Sequence, residues 1–78
     1  MALGEFIKSN RKRQGMTIRE LSKRSEVSNS YISQLETGKN ENPSINVLMK
    51  LVNPLGVTIE DLYQARTTGI VKRLLDKK

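Results

Sequence analysis

From Ser28 to Asn42 the chain gathers short, polar, uncharged side chains: Ser28, Asn29, Ser30, Ser33, Gln34, Thr37, Asn40 and Asn42. Ser30, Ser33 and Gln34 are spaced i, i+3 and i+4, which is one face of a helix. Their chemistry is hydrogen bonding. Asn29 and Gln34 each carry a carboxamide able to bond adenine N6 and N7 in bidentate fashion, and a serine hydroxyl can contact any base. A helix face selected only for solubility usually shows Glu and Lys. Asn, Ser and Gln in their place point to base edges read in the major groove of duplex DNA.

Such a face needs elements that hold it. Ile32 and Leu35 lie opposite it and face inward, so a helix is predicted over about 29–37, capped by Ser28 and ended by Gly38. A shorter helix is predicted before it, over about 18–25, with Ile18 and Leu21 inward. Thr17 and Glu20 form its capping box. Leu3, Phe6 and Ile7 predict a first helix over about 3–14 that stops at Gly15. After the polar loop at 38–43, Ser44 caps a fourth helix with an apolar stripe of Ile45, Leu48, Leu51, Val52 and Leu55. Pro54 in its last turn is expected to fray or kink that end. Thr58 and Asp61 suggest the cap of a fifth helix over about 59–65, with Leu62 inward. No alternation at period two competes, so the fold class is all-α: a compact domain of five short helices over residues 1–65.

Charge and composition narrow the function. The chain has 78 residues and a net charge of +6. Residues 1–40 hold eight Lys/Arg against four acids, residues 41–65 one against three, and residues 66–78 five against one. A basic surface of this kind suits a polyanion. Cysteine and histidine are absent, so there is no thiolate metal site, and the commonest general base is missing. With no Gly-rich phosphate loop and no cluster of carboxylates either, an enzyme is not expected, nor a cofactor or a metal. Glu60-Asp61, the adjacent acid pair, fits a helix N-terminus. No run of about 18 apolar residues exists to span a membrane, and the opening residues predict no signal peptide. The expected location is the cytoplasm, on the nucleoid.

The chain resembles the Cro/CI-type helix-turn-helix family, also called the XRE family, to which phage repressors belong. The resemblance covers residues 4–65. It rests on Arg-x-x-x-Gly-Met-Thr from Arg11 to Thr17, Glu-Leu-Ser at 20–22, Val-Ser-x-Ser-Tyr-Ile-Ser-Gln-Leu-Glu-x-Gly from Val27 to Gly38, Asn-Pro-Ser-Ile at 42–45 and Leu-Gly-Val at 55–57. It implies a lambda-repressor-like domain in which Asn29, Ser30, Ser33 and Gln34 match the base-reading positions of the recognition helix. Phosphates would be met by the Thr17 hydroxyl and the backbone amides opening the second helix. Thr37, Lys39, Asn40 and Asn42 would follow the strand beyond the recognition helix, with Arg13, Lys12 and Lys23 in second rank. Ser28 caps the third helix and is placed to touch the groove edge. Tyr31 packs its ring at the domain edge, either with its hydroxyl near a phosphate or in a purely structural role. Arg11 and Glu36 match a pair that family members use as a half-buried salt bridge between the first and third helices. Arg11 on a phosphate is the alternative, and one residue can serve in both roles.

Two positions depart from the family pattern. Ile18 stands where many members have Gln and is expected to join the core. Glu26 occupies the turn where the family favours Gly, which costs about 1–2 kcal/mol if the backbone there is left-handed.

Residues 66–78 form a basic tail. Ile70, Val71, Leu74 and Leu75 fall on one side of a helix and Lys72, Arg73, Asp76, Lys77 and Lys78 on the other. A short sixth helix over about 69–77, used for dimerisation, is the expectation carried forward. The function expected is a DNA-binding transcriptional regulator, a repressor that binds a palindromic operator as a homodimer. The competing reading is an antitoxin or another protein-interaction module with secondary DNA binding.

Overall fold

The computed structural model describes the backbone of residues 2–76 and the side chains of residues 2–68. Among these the chain forms five α-helices: α1 Leu3–Arg13, α2 Ile18–Ser25, α3 Asn29–Thr37, α4 Ile45–Leu55 and α5 Ile59–Asp76. Helices α1 to α3 fall within a residue of the expected spans, and α4 starts from the expected Ser44 cap, because these ends are written in local chemistry. Thr17 accepts from the Glu20 amide at 3.1 Å while the Glu20 carboxylate accepts from the Thr17 amide at 3.2 Å, which closes a capping box. Those contacts hold the Glu20 carboxyl below its ordinary range, with the Thr17 backbone amide as the first cause. Ser28 and Ser44 accept from Tyr31 and Val47 amides at 3.1 and 3.3 Å. Thr58 and Asp61 pair reciprocally in the same way at the start of α5.

The core is aliphatic. Ile7, Leu21, Ile32, Leu35, Leu48, Leu51, Leu55 and Leu62 are fully buried, with Leu3, Met16, Val27 and Ala65 close behind. Phe6, Ile18 and Val52 pack half-buried against it, so Ile18 does join the core's edge. Ile45 does not complete the α4 stripe. It is 43% exposed, at the first position of the helix.

Two other expectations are corrected. Helix α4 runs through Pro54 to Leu55 and closes on Gly56, whose amide and that of Val57 donate to Asn53 and Val52 carbonyls. Proline removes one donor in the last turn, but buried Leu51 and Leu55 anchor that turn from the other side. The fifth helix does not stop near residue 65. It continues unbroken to Asp76, so no separate sixth helix occurs among the described residues. Arg66-Thr67-Thr68 contains no proline and no cap sequence to end it, and Gly69 inside a helix costs only about 1 kcal/mol. The amphipathic pattern read for residues 70–78 concerns side chains outside the described residues.

The turn between α2 and α3 is built by Ser25 and Glu26. Buried Ser25 donates to the Leu21 carbonyl at 2.7 Å and accepts from the Val27 amide at 3.2 Å. Glu26 takes φ 63° and ψ 18°, the left-handed region. A side chain there is strained, and a glycine in its place would relieve about 1–2 kcal/mol of that strain. The greater freedom of glycine in the unfolded chain returns part of that gain. Glu26→Gly is therefore expected to raise stability by roughly 0.5–1 kcal/mol in urea unfolding; a loss of stability would show that the carboxylate makes a compensating contact.

Candidate nucleic-acid interface

Helix α3 is fixed from behind by α1. Arg11 Nε and Nη2 donate to the two Glu36 carboxylate oxygens at 2.7 and 3.0 Å, and Nη1 donates to the Met16 carbonyl at 2.7 Å. Arg11 is 8% exposed. The hydrogen bond it donates to Glu36 raises the guanidinium pKa, against the opposing effect of burial. A fork-to-fork pair of this kind fixes both distance and orientation. With three of its N–H groups donating inside the domain, Arg11 serves as an internal tie between α1, α3 and the segment leading into α2.

Gly4 makes a second tie that the sequence reading missed. A Cβ at this position would run into the Leu35 carbonyl oxygen and the Glu36 backbone. The absence of a side chain lets α1 lie directly on the last turn of α3. A glycine one residue inside a predicted helix was the available signal.

With its inner side so held, α3 turns the four base-reading candidates outward. Asn29, Ser30 and Ser33 are exposed and Gln34 is half-buried. None of the four uses its side chain in a hydrogen bond among the described residues. Their donors and acceptors are free for a ligand. Tyr31 is half-buried and its ring packs against the core, as both readings of it require.

The backbone-contact candidates divide by how they are engaged. Thr17 is exposed at the N-terminus of α2, and its hydroxyl is already shared with Glu20. The first amides of α2, at Ile18 and Arg19, lie ahead of the intrahelical ladder and point along the helix dipole. Ser28 is exposed and occupied as the α3 cap. Thr37, the last residue of α3, donates its hydroxyl back to the Ser33 carbonyl at 3.0 Å. Lys39 is exposed, Asn40 half-buried and Asn42 exposed, in the loop that leaves α3. Arg13 is exposed and donates to Asn10 Oδ1 at 2.7 Å on its own helix. The structure thus links Gln34, Asn40 and Asn42 in one hydrogen-bonded run, while Thr17 and Arg13 belong to other elements.

No group of acidic residues able to hold a metal occurs among the described residues, and no helix there is long and apolar enough to cross a membrane.

The Arg11–Glu36 pair should behave as a buried one, since its side chains are 10% and 5% exposed. Glu36→Ala is expected to cost about 3–5 kcal/mol in chemical unfolding because it strands the Arg11 charge. Replacing both partners together with apolar residues should cost less than the two single changes summed; additive losses would mean the pair is not coupled.

Comparison with known proteins agrees with this geometry. A family model described as helix-turn-helix matches residues 7–62. The HTH-type transcriptional regulator SlrR of Bacillus subtilis is 40% identical over 65 residues, covering 83% of this chain and 43% of SlrR. The chain spans about half the length of such relatives. The crystal structure of SinR, the master regulator for biofilm formation, in complex with DNA superposes with a TM-score of 0.75 at 36% identity, over 78% of this chain and 97% of that one. A SinR–SinI protein complex matches with a TM-score of 0.74 at 37% identity, over 77% of this chain and 58% of that one. The match spans both helices of the motif, α4 and α1 from Ile7 onward, and the chain belongs to the XRE-type helix-turn-helix family.

Proposed function

We propose that this chain is the sequence-reading domain of a transcriptional repressor that binds an inverted-repeat operator as a homodimer, in the cytoplasm. The observation that carries the reading is the outer face of α3. Asn29, Ser30, Ser33 and Gln34 present unused carboxamides and hydroxyls on a helix whose opposite side is locked to α1. Gln34 and Asn29 are assigned to purine edges, and the two serines to neighbouring bases. The α2 amides, Thr17, Ser28, Thr37, Lys39, Asn40, Asn42 and Arg13 are assigned to the phosphates, which set register and carry no sequence information. Dimerisation is proposed because one domain of this size offers few base contacts. Two-fold pairing doubles them, with half-sites about one helical turn apart. The C-terminal part of α5 is the element proposed for pairing.

A second reading has one observation in its favour. SinR, a relative of this chain, has been solved in complex with SinI protein. By analogy the chain would also engage a partner protein, as an antitoxin does, with DNA binding secondary.

Selection from random duplex DNA at about 0.15 M salt, the physiological ionic strength, separates the two readings. The expected result is an enriched inverted repeat whose spacing gives the dimer geometry. Binding without enrichment, lost as salt rises, would leave only a basic surface and put the partner reading first. On the selected site, Gln34→Ala is expected to cost about 1–3 kcal/mol and to relax one base position. An equal loss on every sequence would remove Gln34 from the reading face.

A further inference from the structure

The loop leaving α3 has no regular structure, yet its proposed role requires a fixed position. Hydrogen bonds supply one. The Asn40 amide donates to the carbonyl of Gln34 at 3.0 Å, inside the recognition helix. The Asn42 amide donates to Asn40 Oδ1 at 3.0 Å. Arg66 Nη2, from the middle of α5, donates to Asn42 Oδ1 across 24 residues of sequence. The run therefore passes from a base-reading residue, through two of the loop's phosphate candidates, to a helix outside the recognition motif.

Arg66 is not an ordinary surface cation. It is half-buried, and its Nε is buried without a hydrogen-bond partner. A guanidinium free to move would turn that group to water. Its stem instead lies against the fold, and its terminal nitrogen is directed at the loop. We propose that Arg66 is a positioning residue for DNA binding: it ties the Lys39–Asn42 loop to α5 and so sets the path that loop offers to the phosphates. The proposal rests on the reading of this chain as a DNA-binding domain. It gives α5 a role in the interface without requiring α5 to touch DNA. The Asn42 side chain is spent on the tie through its oxygen and keeps its amide nitrogen for a phosphate.

The test is DNA affinity as a function of salt, together with amide hydrogen exchange in the free protein. Arg66→Ala is expected to weaken the selected site roughly tenfold, about the worth of one hydrogen bond to a charged group. The slope of log affinity against log salt should stay unchanged, because no phosphate contact is removed. Arg66→Lys should recover part of the loss, since an ammonium can still donate to Asn42 Oδ1. In an Asn42→Ala background, Arg66→Ala should cost nothing more. In the free protein, exchange at the Asn40 and Asn42 amides should quicken while the Ile32 and Leu35 amides hold. A salt slope reduced by about 0.9 would place Arg66 itself on a phosphate and overturn the proposal. Full affinity with unchanged exchange would also overturn it. If the wild-type chain binds no DNA, the function proposed above fails, and the exchange rates still decide whether the tie exists.

Discussion

The contact between α1 and α3 is the constraint on which the rest of this structure depends. A helix that reads DNA must present its outer residues at a fixed angle, yet a nine-residue helix is unstable alone. Helix α1 solves this with two contacts of opposite character. Gly4 removes a side chain so that the backbones close up at the end of α3. Arg11 then reaches Glu36 on that same turn and locks the rotation with a two-point contact. The first contact sets distance and the second sets orientation. Ile32 and Leu35 fill the space between them and supply the apolar burial. The Met16 carbonyl, as third partner of Arg11, ties the chain leading into α2 to the same centre. Both helices of the motif are thereby referred to one guanidinium.

Much of this was legible in the sequence because it is local. Thr17 with Glu20, Ser28, Ser44, and Thr58 with Asp61 announce helix starts by chemistry within four residues. Gly15, Gly38 and Gly56 mark ends by a backbone conformation that few residues share. The face of α3 was legible for a related reason: helical spacing places Ser30, Ser33 and Gln34 together without knowledge of the fold. What escaped depends on partners distant in sequence. Gly4 is informative only when the Leu35 carbonyl is known to lie above it. Arg66 counts as tail charge until Asn42 is found beside it. Ser25 is one polar residue among several until the turn buries it. Ile45 has the right period for the core and the wrong end of the helix. Helix α5 was cut short because its apolar pattern weakens after Ala65, although nothing in the sequence stops the helix there. Arg11 was the intermediate case. Its pairing with Glu36 came from the family resemblance, and its third bond, to the Met16 carbonyl, shows only in the structure.

The recognition motif also combines strain with support. Glu26 holds a left-handed backbone that glycine would adopt at no steric cost, and Ser25 stitches the same turn from inside. The angle between α2 and α3 is therefore kept by buried hydrogen bonds and packing, with the intrinsic preference of the turn residue working against it. On the far side of α3, the Asn40–Asn42–Arg66 run performs the corresponding service for the loop.

The unused side chains of Asn29, Ser30, Ser33 and Gln34 have a consequence for descent. Because they make no bonds within the domain, exchanging them costs the fold almost nothing. Under the function proposed for this face, mutations that alter which operator is read are uncoupled from mutations that alter whether the protein folds. A duplicated copy can drift to a new target through stable intermediates, one residue at a time, while Gly4, Arg11 and Glu36 stay put. The architecture works as a socket with a replaceable reading head, and a lineage carrying it can diversify its regulatory circuits without first acquiring extra stability.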